Sequence, residues 1–138
     1  MTNQHLSCCR VLAAARLIYY PTFDKANDKP RMIPAFVFDA ALGFEGPQPV
    51  LIDLHGGYTG QGGPISSQPY DFIRKKGVTI IRPNFRGSSG YGKTFIALDN
   101  VYLRENSVRD IGALLDWIST QPNLDTQRIA VAGGSYGG

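Results

Sequence analysis

The chain has 138 residues, 43% hydrophobic and 18% charged, which is enough apolar material for one sizeable core, too short for two, and unlike a disordered chain. Fourteen Lys and Arg stand against eleven Asp and Glu for a net charge of +3, with the basic residues scattered among the acidic ones. That distribution excludes the clustered stripe of a nucleic-acid binder, Arg74-Lys75-Lys76 reading as the solvated end of a helix.

In chain order, residues 1–15 read as a leader of unknown role ahead of a single domain over 16–138. The first six residues carry no basic n-region, and Arg10 interrupts the apolar stretch 8–15, so the leader suits neither a signal peptide nor a membrane span. Cys8 and Cys9 are adjacent, which supplies neither the separated pairs of a disulfide scaffold nor metal-site spacing. A reducing compartment, hence a cytoplasmic location without a membrane partner, is the expectation.

Residues 16–20 and 33–38 are β-rich runs read as antiparallel strands, with the polar stretch 22–31 as their connection. Residues 50–54 form a mainly apolar run suited to a strand buried on both faces, followed by a glycine-rich loop from His55 to Pro64. Residues 70–76 read as a short helix with Phe72 and Ile73 inward and Gly77 as its stop. Residues 78–81 form another strand, ended by Pro83. Val108, Ile111, Leu114, Leu115 and Ile118 share one helical face bordered by Trp117, and residues 128–132 supply the last strand. Strands alternating with helices in the second half predict an α/β chain with a mostly parallel sheet.

The last strand leads into Gly133-Gly134-Ser135-Tyr136-Gly137, the G-x-S-x-G pattern in the strand-then-turn context of a nucleophile elbow. A serine hydroxyl is a poor nucleophile until a base takes its proton, so the turn must present it in the open. Gly133 and Gly137 would avoid Cβ clashes with the neighbouring strand and helix. The competing reading, a nucleotide-binding glycine turn, finds neither G-x-G-x-x-G nor a Walker pattern. His55-Gly56-Gly57 follows another buried strand, so both loops can meet beyond the carboxyl ends of the sheet. There the N–H groups of Tyr136 and Gly57, or its neighbour, could bind an oxyanion.

His55 is read as orienting its loop rather than as general base, because this hydrolase class runs in the order Ser, Asp or Glu, His. His5 is the only other histidine. In the Arg82, Asn84, Arg86 and Asp110 set, Arg86 could bind a substrate carboxylate or pin loops together. A buried arginine satisfied by Asp110 favours pinning.

Taken together, His55-Gly56-Gly57, Arg82-Pro83-Asn84-Phe85-Arg86-Gly87-Ser88, Gly90-Tyr91-Gly92, Asp110 and Gly133-Gly134-Ser135-Tyr136-Gly137-Gly138 resemble the prolyl oligopeptidase family (S9). The acylaminoacyl-peptidase and dipeptidyl-peptidase-like branch looks nearest, and the resemblance covers residues 17–138. It implies an α/β-hydrolase fold, here truncated after the nucleophile elbow, with Ser135 as nucleophile and the Tyr136 and Gly57 N–H groups as oxyanion donors. His55 and Gly56 would be substrate or framework residues, and Arg86 and Asp110 framework. No metal or organic cofactor is implied. Tyr58 stands where the family usually has proline, and Glu105-Asn106 where it has Trp-Gly. The β-propeller that usually precedes the domain is missing, and the family's Asp and His fall beyond Gly138.

The function expected on this basis is a serine-type peptidase hydrolysing short peptides through an acyl-enzyme, the 138 residues alone being inactive or nearly so. The missing C-terminal half of the domain is an expected partner. The alternatives are a carboxylesterase or lipase-like hydrolase, or a catalytically inactive fragment with a binding role.

Overall fold

The computed structural model describes residues 14–57 and 59–138, so the expectations placed on His5, Cys8, Cys9 and Tyr58 lie outside the described residues. Strands β1 (Arg16–Ala26) and β2 (Lys29–Phe38) pair antiparallel. The stretch 22–31, read from sequence as a connection, is mostly strand, and the connection shrinks to Asn27-Asp28. Both turn residues have positive φ, 52° and 62°, the backbone of a two-residue turn whose twist matches its strands. The polarity of this stretch reflects exposure rather than a loop. β4 (Thr79–Pro83) pairs with β2 only from Ala35 to Phe38, so among the described residues no strand pairs with the distal hairpin on that edge.

Between the hairpin and β4 lie β3 (Gln48–Leu54) and α1 (Gln68–Arg74). After β4 come α2 (Lys93–Ala97), a 3-10 turn (Val101–Leu103), α3 (Arg104–Ser119), β5 (Leu124–Gly133) and a closing 3-10 turn (Ser135–Gly137). The sheet order is β1-β2-β4-β3-β5. β2 meets β4 antiparallel, whereas β4, β3 and β5 run parallel. The parallel block places the ends of β3, β4 and β5, and thus the loops carrying His55, Arg86 and Ser135, along one edge of the sheet.

Side-chain alternation divides the sheet into two faces. Ile33, Val37, Ile52 and Ile81 pack with Leu114 and Ile118 of α3 in the main core. Phe38 turns to the other face and meets Tyr70 of α1 edge-on, with ring centroids 5.2 Å apart. Tyr70 therefore takes the inward position expected for Phe72, which is 64% exposed. Two residues along a helix is a rotation of about 200°, so both cannot face the sheet.

α3 departs from its apolar pattern in a similar way. Leu114 and Ile118 are buried as the spacing predicts, but Val108 is 71% exposed and Leu115 41%. The buried stripe is instead Ser107, Asp110, Leu114 and Ile118, because a charged residue, neutralised by a partner on another loop, leads the inward face. A pattern of apolar residues alone cannot reveal such a stripe. Val108 and Leu115 lie on the open side of the helix, and β5 at the sheet edge leaves Val131 57% exposed. Among the described residues no helix is long and apolar enough to cross a membrane.

The hairpin turn yields a stability prediction. Asp28 occupies a left-handed conformation that glycine adopts without steric cost. Asp28→Gly should raise Tm by about 2–4 °C in thermal unfolding; a fall in Tm would contradict the assigned turn.

Candidate functional site

Arg86 sets the frame of the site. Its side chain is 2% exposed, and its Nε and Nη2 atoms donate to the two oxygens of Asp110, each at 2.8 Å. The Arg86 N–H and the Thr22 hydroxyl also donate to Asp110, at 3.0 and 2.7 Å, and Nη2 reaches Asp24 at 2.9 Å. Burial alone would raise the Asp24 carboxyl, but hydrogen bonds from Arg86 and Arg31 outweigh it and hold the group below the ordinary carboxylate range. A fork-to-carboxylate pair of this geometry is strong and directional. It joins three elements distant in sequence: β1, the loop after β4, and α3.

The residues beside Arg86 serve the loop after β3. Asn84 exchanges two hydrogen bonds with Gly62, donating to its carbonyl at 3.0 Å and accepting from its N–H at 2.6 Å. The Phe85 ring stacks on the His55 imidazole, with centroids 4.5 Å apart and planes within 8°. The Ser88 hydroxyl donates to the Phe85 carbonyl at 2.6 Å and lies 2.7 Å from His55 Nε2. Since the single Ser88 proton is committed to that carbonyl, Nε2 must donate, while Nδ1 lies 3.3 Å from the Gly56 carbonyl. Burial holds the His55 pKa below its ordinary value. Arg82 lies apart from this arrangement, on the α1 side of the sheet, 3.1 Å from Asp53 and over the Tyr70 ring.

The two glycine loops meet. A Cβ on Gly56 would come within 2.9 Å of the Gly134 carbonyl and 3.5 Å of Ser135 Cβ, so the His55-Gly56-Gly57 loop touches the serine turn directly. A Cβ on Gly137 would lie 2.6 Å from the Leu54 carbonyl, a clash with the neighbouring strand; one on Gly133 would lie 2.0 Å from the Gly137 carbonyl, within the turn itself. Ser135 is exposed and has φ of 57°. A non-glycine residue in this region is strained and persists only when its surroundings over-determine it. Within the turn, Gly137 N–H donates to Gly134 O and Gly138 N–H to Ser135 O, both at 3.1 Å.

Beside the elbow, a cavity of about 310 Å³ is lined mainly by apolar groups of Leu54, Phe85, Val108, Ile111, Tyr136 and Gly137. No group of three or more His, Cys, Asp or Glu side chains among the described residues could hold a metal ion. The structure brings Gly56 against Gly134 and Ser135, pairs Arg86 with Asp110, and commits His55 to Ser88. Sequence reasoning missed Asp24, Ser88 and Asp99. Ser88 was the one with a readable signal, since it closes the Arg86-Gly87-Ser88 motif.

Residues 66–138, more than half of the chain, match the sequence model of the prolyl oligopeptidase family. Over 91 residues the chain is 32% identical to the uncharacterized peptidase YuxL of Bacillus subtilis (strain 168), a match covering 65% of this chain and 14% of that protein. It is 29% identical over 91 residues to acylamino-acid-releasing enzyme 1 of Oryza sativa subsp. japonica, covering 66% and 12%. Pyrococcus horikoshii acylaminoacyl peptidase superposes with a TM-score of 0.75 at 22% identity, over 93% of this chain and 20% of its own. The sheet is that of an α/β-hydrolase fold, matching an N-terminal portion of a larger catalytic domain.

These findings correct one expectation. A serine-type peptidase hydrolysing short peptides through an acyl-enzyme is overturned for these 138 residues, along with the attributes serine protease and proteolysis. The chain spans 14% and 12% of its relatives, and no catalytic triad forms among the described residues. Of the chain's two histidines, His5 lies outside the described residues and His55 has Nε2 engaged by Ser88. Esterase turnover by the same residues would need the same base. Kinship with the peptidases holds, and the absence of a formed triad among the described residues is consistent with the inactivity expected of these residues alone.

The neutral, buried His55 predicts a titration. Its midpoint, followed by NMR, should fall below the ordinary 6.5. Protonation then favours the unfolded chain, so this part of the stability is present above pH 6.5 and is lost as pH falls toward the folded midpoint. A midpoint above 6.5 would contradict the assigned environment.

Proposed function

The chain belongs to the prolyl oligopeptidase family, and on that premise we propose that these 138 residues are the nucleophile-bearing segment of an α/β-hydrolase domain, catalytically silent alone and built to bind its complement. The observation that carries this reading is a strained serine turn packed on a glycine loop beside an uncovered apolar surface. Ser135 holds the nucleophile position. The N–H groups of Tyr136 and Gly57 are the oxyanion donors, with His55, Gly56, Arg86 and Asp110 as framework. Such a half-site can hold a peptide carbonyl against two backbone donors, but a hydroxyl without a base stays protonated and does not attack.

The binding partner in this reading is the Asp- and His-bearing half of the domain. It would add a strand beside β5 and cover Val131, Val108, Leu115 and the cavity beside Tyr136. An open parallel edge next to exposed apolar side chains is a surface that folded proteins normally cover. A peptide is the ligand class suggested by the relatives' names. A cytoplasmic location accompanies the proposal, supported by the adjacent Cys8 and Cys9 pair.

Fluorophosphonate labelling tests the reading. The chain alone should leave Ser135 essentially unlabelled. Adding the separately produced second half of a prolyl oligopeptidase family catalytic domain should produce binding and labelling. Ser135→Ala should abolish labelling but not binding, and Val131→Asp should weaken binding about tenfold or more. Labelling of the chain alone at the rate of a complete domain, or no binding of the second half, would overturn it.

A further inference from the structure

The strain at Ser135 requires a restraint, and the two hydrogen bonds within its own turn are short-range. A side-chain hydrogen bond also reaches the turn from outside it. The Tyr136 hydroxyl donates to Asp99 Oδ2 at 2.7 Å. Asp99 follows α2 and is only 5% exposed. It is wedged against the Arg86 loop: Gly87 has φ of 93°, and a Cβ there would lie 2.5 Å from Asp99 Cβ. Burying a carboxylate is costly unless it is paired. The contrast with Asp110 is informative, because Asp110 faces a guanidinium in a two-point contact, whereas the side-chain donor that Asp99 meets is Tyr136. The Arg104 guanidinium lies over the Tyr136 ring, 5.7 Å from its centroid. Burial, reinforced by Asp99, pushes the Tyr136 phenol above its ordinary pKa.

We propose that Asp99 is a positioning residue for Ser135. By anchoring the Tyr136 side chain it holds the Ser135–Tyr136 peptide in the left-handed turn that exposes the serine hydroxyl and aims the Tyr136 N–H. This rests on the reading of Ser135 as the nucleophile. The tether links the elbow to the loop that also carries Ser88, so both sides of the half-site are referred to one support. No motif marks Asp99; it sits in the segment between the glycine loop and α3.

The test is amide exchange of Gly137 and Gly138, measured by NMR in the full chain together with the titration of Tyr136. Asp99→Ala and Tyr136→Phe should each speed exchange about fivefold to tenfold, without multiplying in the double variant. Asp99→Asn keeps an acceptor oxygen and should stay within about threefold of the parent. In Asp99→Ala the Tyr136 midpoint should move back toward 10. Ser135→Gly removes the cost of positive φ, so adding Asp99→Ala to it should change exchange less than about threefold.

Amides of Ile52 and Ile81 should stay protected throughout, which separates a local effect from unfolding. If Asp99→Ala unfolds the chain, Tyr136→Phe carries the same comparison. Unchanged exchange in a folded Asp99→Ala or Tyr136→Phe protein would overturn the proposal. An equal effect of Asp99→Ala with and without Ser135→Gly would do the same, since mere packing acts regardless of φ. No labelling or partner binding enters this readout. Expected exchange with no labelling of the reconstituted domain would sink the nucleophile reading alone, and the reverse outcome would sink the tether alone.

Discussion

A buried guanidinium organises this structure. Arg86 is satisfied by Asp110 and Asp24, and removing either side of such a pair would leave an uncompensated charge in a low-dielectric interior. The consequence is positional as well as energetic. Because the clamp fixes the backbone on both sides of Arg86, its neighbours become reference points for everything above them. Asn84 holds Gly62, Phe85 and Ser88 hold His55, and Gly87 seats Asp99, which holds Tyr136. The loop after β3 and the turn after β5 therefore share a foundation although they share no side-chain hydrogen bond with Arg86.

In the proposed reading, that arrangement lets a segment with no free base among its described residues still hold the serine turn against the glycine loop. Strain at Ser135 and close backbone contact at Gly56 are properties of tight local packing, and they need neither an acid nor a base. The reactive ionisation of a serine hydroxyl, by contrast, depends on a neighbour that can accept its proton. His55 is poorly suited to that task because its Nε2 donates to Ser88 and burial disfavours the protonated ring that accepting a proton would create. Geometry and reactivity are thus separable here, and in the proposed reading the second contribution binds at the exposed side of α3 and the edge of β5.

Much of this was legible in the sequence where local chemistry governs. The Gly133 to Gly137 pattern announced a tight turn, and the glycine after His55 announced a close approach. The parallel block followed from alternating strands and helices. The errors have a common cause. The 22–31 stretch looked like a loop because its exposed strands are polar, and the turn chemistry of Asn27-Asp28 went unrecognised. Phe72 and Val108 were placed inward because apolar spacing is blind to a buried Asp110 and to a tyrosine that takes the inward position. Asp99 and Asp24 could not be found at all, since their roles arise from contacts between segments 37 and 62 residues apart.

The central claim is that Arg86, without touching either group, sets the environments of His55 and Tyr136. The most direct measurement is the pair of NMR titrations in Arg86→Lys, which keeps the charge but loses the planar fork. The account predicts that in the folded variant both groups move toward their ordinary values, His55 upward toward 6.5 and Tyr136 downward toward 10. A folded Arg86→Lys protein in which both midpoints stay where they are in the parent chain would contradict it.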